Sequence, residues 1–332
     1  MSWIDLLWTG LVQILIYPGL MFIIMMIIIT QWIYRKIGGR IQYRRGPCHV
    51  GPFGILQPFA DFMKLLLKED VVTRYSMKKL PLIVASLGLG ALIAILVLTP
   101  ISPWPLMAPN DIIVFFYLAI WASLAIMILG LATPNPYTSL GVGRYMALLA
   151  SSEPAFIASF LVPVVIASSI YGAKYSLYLT SLNSWALWSY SPASFLAMIV
   201  AAIAGFLAMM GVLEIKPFDF PEAEGEIYWG VFTEYGGPRL AFGFFILFTE
   251  RIVIPLIYTL LFLGGPWPVS MSSNPVLGVI IIFAKFFALF IILSIIDNIM
   301  PRYTPSQAVR ILWKYPLVLS IIALIIALAL VY

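Results

Sequence analysis

The chain has 332 residues, of which 62% are hydrophobic and only 10% charged, and its mean hydropathy is +1.03. That leaves too little polar surface to cover a water-soluble globule, so the chain belongs in a lipid bilayer. The formal net charge of +5 does not point to nucleic acid, because a soluble nucleic-acid-binding domain would not also carry repeated apolar runs of about 20 residues.

In chain order, apolar segments long enough to span are expected at about Leu11 to Ile33, Leu80 to Leu98, Ile112 to Thr133, Tyr145 to Ile170, Ala193 to Leu213, Leu240 to Leu263, Val276 to Ile296 and Pro316 to Val331. The expected fold class is therefore all-α: a polytopic membrane helix bundle of about eight spans, forming a single transmembrane domain over residues 1–332. The first run lacks a small-residue cleavage site and reads as an anchor rather than a removed signal. Asn110-Asp111, Ser191-Pro192 and Asn274-Pro275 pair a capping side chain with a first-turn residue before the third, fifth and seventh spans. Trp3, Trp8, Trp32, Trp104, Trp185, Trp188 and Trp267 lie near span ends and read as interfacial anchors.

Eight spans place the loops alternately on two sides. One side holds Arg35, Lys36, Arg40, Arg44, Arg45, Lys64, Lys68, Arg74, Lys78, Lys79, Arg144, Lys216, Arg239, Arg302, Arg310 and Lys314, and the other only Lys174. By the positive-inside rule the basic side is cytoplasmic and both termini lie on the opposite side, with the chain in the cytoplasmic membrane. Arg251 and Lys285 fall inside expected spans, where a charge costs at least ~2.5 kcal/mol, so they need partners or water.

Two cytoplasmic loops are long and not low in complexity, and so are expected to be structured. The first, about 34–79, holds a basic stretch, a Gly/Pro turn region and an apolar segment from Val50 to Leu67 punctuated by Gln57, Asp61 and Lys64, which reads as an interfacial amphipathic helix. The second, about 214–238, is acidic. Asp219 and Glu222 form a capping-box pattern with Pro221 in the first turn, so a short helix is expected to run to about Trp229.

The acidic loop carries Glu214, Asp219, Glu222, Glu224, Glu226 and Glu234 at a membrane face where positive residues normally dominate. On a helix Glu222 and Glu226 would share a face, and two carboxylates ~8 Å apart at an effective dielectric of ~20 repel by ~2 kcal/mol, about 1.5 pKa units. A proton shared by such a pair is mobile near neutral pH, the property a proton relay needs; the plainer reading is a solvated acidic loop docking a basic partner. Glu153 lies well inside the fourth span and precedes Pro154. It is either a proton-carrying site or a carboxylate paired with Arg144 or another helix's cation. Glu250, Arg251 and Lys285 admit the same two readings. The basic stretch Arg35 to Arg45 is first of all a topology signal that favours anionic lipid, and can also meet an anionic substrate head or a partner. One cysteine, Cys48, excludes an internal disulfide, and with its neighbour His49, the sole histidine, it cannot complete a zinc or iron–sulfur ligand set. No metal is expected in this chain, and any redox centre belongs to a partner.

Taken together these segments resemble the H-type membrane subunit of bacterial complex I, equivalent to mitochondrial subunit 1, and its relatives in energy-converting membrane-bound hydrogenase and sulfane reductase complexes. The likeness rests on Arg35-Lys36, Gly39-Arg40-Ile41-Gln42, Arg45-Gly46-Pro47, Val50-Gly51-Pro52, Gly54, Leu56-Gln57-Pro58, Ala60-Asp61, Lys64-Leu65 and Lys68-Glu69 in the first loop. Further on it rests on Arg144 with Glu153, Glu214, Pro217-Phe218-Asp219, Glu222, Glu224, Glu226, Glu234-Tyr235 and Glu250, and on Pro301-Arg302, Gln307, Arg310 and Trp313-Lys314.

The resemblance implies a non-redox subunit of a multi-subunit oxidoreductase, docked under peripheral-arm subunits that hold the terminal iron–sulfur cluster and beside antiporter-like membrane subunits. It implies a chamber that admits a quinone, with Arg35, Lys36, Arg40, Arg45, Gln57, Asp61, Lys64, Arg144, Lys216 and Arg302 at the chamber or partner contacts. It makes Glu153, Glu214, Asp219, Glu222, Glu224, Glu226, Glu234 and Glu250 the acids of a proton or sodium path. Four positions depart from the family pattern: Tyr34 stands for Glu, Cys48 for Asn, Lys216 for Arg, and Asp297 for a cationic residue. They also fit a hydrogenase-like or sulfane-reducing complex without quinone. A self-standing ion transporter or channel is the alternative from another class, and the missing internal repeat counts against it.

Overall fold

The computed structural model describes residues 3–331; the side chains of residues 3–7, Trp3 among them, and of Glu224 lie outside the described residues. Among the described residues the regular structure is helical throughout and no strand occurs. Eight helical stretches are long and apolar enough to cross a membrane, in the expected order.

The first apolar stretch is not one helix. It divides into α1 (Trp3–Leu15) and α2 (Leu20–Ile41) at Tyr17-Pro18-Gly19. Pro18 has no N–H to give to the helix ladder, and a Cβ on Gly19 would sit 1.9 Å from the Ile14 carbonyl oxygen. α2 also continues past the expected end at Ile33, so Tyr34, Arg35, Lys36 and Arg40 ride on its last turns rather than in a loop. The interfacial helix is shorter than the expected Val50 to Leu67. A single 3₁₀ turn at Pro52–Gly54 precedes α3 (Gln57–Leu67), because Gly51 and Gly54 take left-handed backbone at φ 70° and 78°.

α4 (Leu80–Val97) and α5 (Asp111–Leu131) pack as an antiparallel pair, and α6 (Pro136–Tyr171) follows. α6 starts two turns earlier than expected; its 36 residues give about 54 Å of helix, longer than the hydrocarbon core, so its first turns project towards the acidic loop. A helix not foreseen from the sequence, α7 (Leu177–Ser189), links α6 to α8 (Pro192–Val212). Its N-terminus is capped from another element: the Asp111 carboxylate accepts from Leu177 N–H at 2.5 Å and Ser176 Oγ at 2.9 Å. Asp111, in the first turn of α5, thus caps α7, whereas Asn110, the expected cap of α5, sits in left-handed backbone at φ 63° and makes no side-chain cap bond. Ser191 and Asn274 do cap the helices they precede, accepting from Ser194 N–H at 3.0 Å and Leu277 N–H at 3.3 Å.

The acidic segment differs most from expectation. The helix predicted from Asp219 to Trp229 is a four-residue turn, α9 (Glu224–Ile227), whose N-cap is Ala223. Asp219 caps nothing, because Arg302 holds its carboxylate. The segment is nevertheless pinned: Tyr235 Oη donates to Leu129 O at 2.5 Å and Tyr303 N–H to Pro217 O at 2.9 Å. α10 (Gly237–Phe262) runs through the middle of the bundle and is the most buried span. α11 (Pro275–Ile299) packs on α2 and α10. The last span begins earlier than the expected Pro316, as α12 (Pro305–Leu312), a π turn at Trp313–Leu317 over Pro316, and α13 (Val318–Ala329). α12 opens with a full capping box between Thr304 and Gln307.

Candidate functional site

The ends of α2, α10 and α11, together with α3 and the acidic segment, enclose three cavities in series. The outermost, about 620 Å³, is basic and is lined by Arg35, Arg44, Arg45, Cys48, His49 and Gln57. Arg35 also lines the second, an apolar cavity of about 370 Å³ between α2, α3 and α10. The third, about 190 Å³, is polar; Glu214, Asp219, Glu222 and Asp297 line it with Lys216, Arg251 and Arg302. Four side chains belong to the walls of both the apolar and the polar cavity: Tyr34, Glu222, Trp229 and Arg251.

The apolar cavity follows from the patterning of its helices. α3 turns Pro58, Phe62 and Leu65 towards α2 and α10, where Phe62 meets Phe245 at 5.4 Å between ring centroids and Phe244 stacks on Phe248 at 5.8 Å. The polar groups on this wall are few. Asp61 is held by Arg35 Nη1 at 2.5 Å and Gln57 Nε2 at 2.8 Å, an arrangement that fixes a charged pair at the opening. A mostly apolar cleft with a few convergent polar groups is the usual form of a small-molecule site.

In the polar cavity four carboxylates face two guanidinium groups and one ammonium. Asp219 takes two N–H bonds from Arg302 on one oxygen, at 3.0 and 2.6 Å. Asp297 accepts from Tyr34 Oη at 2.6 Å and from the backbone N–H of Lys216 at 3.0 Å. Arg251, whose Nε reaches Leu213 O at 3.3 Å, lies in the field of Glu222, Asp297, Tyr34 and Glu214. Glu214 is only 2% exposed. Its left-handed backbone, φ 51°, turns the chain off the end of α8. Glu214 Oε2 and Glu222 Oε1 are buried without a hydrogen-bond partner.

The electrostatic consequence is that Glu214, Asp219 and Glu222 hold protons more tightly than carboxylates in water. Burial pushes Glu222 up to about 7, with Arg251 opposing and Asp219 adding to the rise. Burial, followed by the nearby Glu222, raises Glu214 well above the usual range. Burial raises Asp219 as well, and its bond from Arg302 counteracts part of that. A buried carboxyl that titrates near neutral pH can exchange a proton at little cost.

Two acids lie deeper. Glu250, 2% exposed on α10, accepts from Ser123 Oγ of α5 at 2.9 Å. Glu153 is half-buried on α6 beside Pro154, which interrupts the helix ladder at that turn. Glu214 lies in the electrostatic field of Glu222 and Glu250, Glu250 in that of Glu153, and the fully buried Tyr145 in the fields of Glu214, Glu250 and Glu153. Ionisable groups on α10 and α6 thereby join the polar cavity to the interior of the bundle through charge, not through the acidic loop alone.

The remaining expected site residues are more peripheral. Glu222 and Glu226 do not share a helix face: Glu222 precedes α9 and points inwards, whereas Glu226 is exposed and paired with Arg144 at 2.5 Å. Arg144 also donates to Phe220 O at 3.2 Å, so it is not the partner of Glu153. Glu234 accepts from Asn135 Nδ2. Glu224, an expected member of the path, lies with its side chain outside the described residues. Lys36 Nζ sits 3.7 Å from Cys48 Sγ, and Arg40, Arg45 and Lys64 are exposed. Lys285 makes no ion pair among the described residues; its ammonium donates to the carbonyls of Leu263, Gly265 and Trp267 at 2.8 to 3.0 Å, a static anchor. Among the described residues no group of three or more His, Cys, Asp or Glu is arranged to hold a metal ion. Sequence reasoning did not place Tyr34, Ser123, Trp229 or Asp297 in the site. For Tyr34 and Asp297 the only signal was their departure from the family pattern.

Fold and site together define a polytopic helical membrane protein with an apolar cavity abutting a carboxylate cluster. A family model described as NADH dehydrogenase matches residues 13–328, and the chain belongs to that family. It is a membrane subunit of the complex I type. The first of the NADH-quinone oxidoreductase H subunits of Solibacter usitatus is 34% identical over 259 residues, covering 74% of this chain and 64%, under two thirds, of that protein. The NADH-quinone oxidoreductase H subunit of Dehalococcoides mccartyi strain CBDB1 is 29% identical over 324 residues, 95% of this chain and 86% of that one. Among solved structures, a chain of the membrane-bound sulfane sulfur reductase, an archaeal respiratory membrane complex, superposes with a TM-score of 0.78 at 26% identity, over 97% of this chain and 99% of that chain.

Proposed function

We propose that this chain is the coupling subunit of a redox-driven ion pump: it admits an apolar-tailed acceptor of the quinone type to the cavity between α2, α3 and α10. A change of charge there moves protons through Glu222, Glu214, Glu250 and Glu153 into the membrane. Asp219, Glu224, Glu226 and Glu234 serve the route at its cytoplasmic rim. The observation that carries this reading is the wall shared by the two cavities, in which Glu222 and Arg251 face the apolar side and the carboxylate cluster at once. An acceptor that becomes more negative in the apolar cavity raises the proton affinity of a carboxyl across that wall, and linkage makes the effect reciprocal.

The electrons come from an iron–sulfur cluster of a peripheral-arm partner docked over Arg35, Lys36, Arg40, Arg45, Lys64 and Arg144. Antiporter-like subunits take the displaced charge onward, as protons or sodium. Lys216 and Arg302 hold the acidic segment in place, and lipid covers the rest of the bundle. The basic loops face the cytoplasm and both termini the other side. A second reading replaces quinone by a sulfane-type acceptor held by a partner, and the likeness to the sulfane sulfur reductase chain supports it. Purification of the intact complex decides between them. Bound quinone and donor-dependent quinone reduction that generates an ion gradient in liposomes are expected; reduction of a sulfane donor with no quinone present would establish the second reading. Autonomous ion flux by the isolated chain would overturn both.

A further inference from the structure

Tyr34 carries the one hydroxyl among the four side chains that the two cavities share. The other three are a permanent cation (Arg251), an acid (Glu222) and an indole (Trp229). The phenol rides on the cytoplasmic end of α2 and donates at 2.6 Å to Asp297 Oδ2 on the last turn of α11. Asp297 is 7% exposed, and the Lys216 N–H at 3.0 Å holds its other oxygen. A small gap between Gln31, Tyr34, Arg251, Ser294 and Asp297 lies directly behind this pair. The charged and titratable groups that share the polar cavity with Asp297 are Arg251 of α10, Glu214, Lys216, Asp219 and Glu222 of the acidic segment, and Arg302 beyond α11.

We propose that the Tyr34–Asp297 pair is a hydrogen-bond reversal switch, by which the protonation state of the polar cavity sets whether the apolar cavity is offered the phenol as a donor. With Asp297 ionised, its carboxylate holds the Tyr34 O–H, and only the phenol's lone pairs face the apolar side. With Asp297 protonated, the acid O–H donates to the phenol oxygen, because a neutral carboxyl is a donor where a carboxylate is only an acceptor. The Tyr34 O–H then turns into the apolar cavity. If it passes its proton to a basic oxygen or sulfur of a ligand there, the phenol O–H bond breaks, the ligand O–H or S–H bond forms, and the proton on Asp297 moves to the phenolate oxygen. No electron moves in this step. A proton taken up from the polar cavity, whose wall Asp297 shares, restores the acid. The ligand class is thus one that presents a hydrogen-bond acceptor at the closed end of the cavity, and the selection rests on the proposed role of that cavity as the acceptor chamber.

The switch is tested in the intact complex, with two readouts so that it can fail separately from the chamber reading. In infrared difference spectra between acidic and alkaline pH, wild type is expected to show a carboxylic-acid C=O band that disappears in Asp297→Asn and shifts in Tyr34→Phe, which loses the hydrogen bond but keeps the ring. A band unaffected by either substitution overturns the proposal whatever the complex reduces. In liposomes with a short-tailed ubiquinone analogue, Tyr34→Phe is expected to lower kcat about tenfold with KM changed less than about twofold, the split expected when a proton transfer rather than binding is lost. Asp297→Asn is expected to do the same, and the double variant to be no slower than the slower single, since the two act as one unit. Multiplying effects, or wild-type rates in both singles, overturn the switch. Failure of wild type to reduce the analogue counts against the quinone reading alone.

Discussion

Arg302 places two N–H groups on a single oxygen of Asp219, Nη2 at 2.6 Å and Nε at 3.0 Å, and so ties the segment after α11 to the acidic segment after α8. Because Asp297, five residues before Arg302, also holds the Lys216 N–H, the end of α11 grips the acidic segment at two points. Arg302→Met is expected to leave Asp219 buried without its charge-assisted partner, at a cost of about 1.5–3 kcal/mol to the local structure. Hydrogen exchange over residues 213–236 should rise by one to two orders of magnitude, and unchanged protection would show that the contact is not what holds the segment.

Glu222 titrates near 7 in the folded protein, against about 4.3 for an ordinary glutamate. Its folded-state value is raised, so the native state binds more protons than the unfolded one between those values. The stabilising effect of the bound proton is complete below about pH 4 and is lost as pH rises through 7. Glu222→Gln, neutral at every pH, should flatten this dependence and make the complex more stable than wild type above pH 7 by about 3–4 kcal/mol. The same variant should remove the step near pH 7 from the pH profile of ion translocation. Melting curves at pH 5 and pH 8 check the first point, and a gradient-sensitive dye in liposomes checks the second.

Glu250 is isolated from solvent and receives a hydrogen bond from Ser123. Glu250→Gln preserves size and the bond from Ser123 but cannot carry a proton, so ion translocation per acceptor reduced should fall at least about tenfold while assembly is retained. Ser123→Ala, which leaves the carboxyl in place, should cost roughly 1 kcal/mol of stability and leave the ion-to-acceptor ratio within about twofold of wild type. Equal ion-to-acceptor ratios in Glu250→Gln and wild type would remove Glu250 from the route.

Gly141 of α6 lets the acidic segment lie against the helix. A Cβ there would come within 2.6 Å of the Gly230 Cα and 2.8 Å of the Val231 backbone nitrogen. Both are backbone atoms and cannot rotate away. Gly141→Ala is expected to cost about 1–3 kcal/mol by overpacking, and to loosen the segment that carries Glu222 and Glu226. Slower turnover together with raised proteolytic cleavage between residues 220 and 236 is the expected pair of observations; wild-type behaviour in both would mean that α6 and the segment can separate without consequence.

Lys285 bridges the turn after α10 by donating to three carbonyls. Lys285→Met keeps the aliphatic stem but leaves those carbonyls without their ammonium, an expected loss of about 2–3 kcal/mol with little change in turnover of the surviving complex. A tenfold loss of ion translocation without loss of stability would instead make Lys285 part of the conducting path.

The eight spans were legible in the chain because hydropathy is a local property: a run of about 20 apolar residues must cross or be buried, whatever its neighbours. The charge asymmetry of the loops and the unusual acidity of residues 214–234 are local in the same sense, as are the caps at Ser191 and Asn274. The break at Pro18 and the extension of α2 to Ile41 were less legible, since apolar residues on both sides of the break keep the hydropathy high. Which acids face one another was not local at all. Glu222 and Glu226 look like one face of a helix by their spacing, yet the helix is a single turn that excludes Glu222, because Arg302 rather than the helix N-terminus takes up Asp219. Tyr34 and Asp297 are 263 positions apart, and no periodicity relates them. Their contact exists only because α2 and α11 pack side by side beneath the acidic segment. Burial in that packing, not residue type, sets the proton affinities of Glu214 and Glu222, since the cost of a charge depends on the water and partners that tertiary structure removes or supplies.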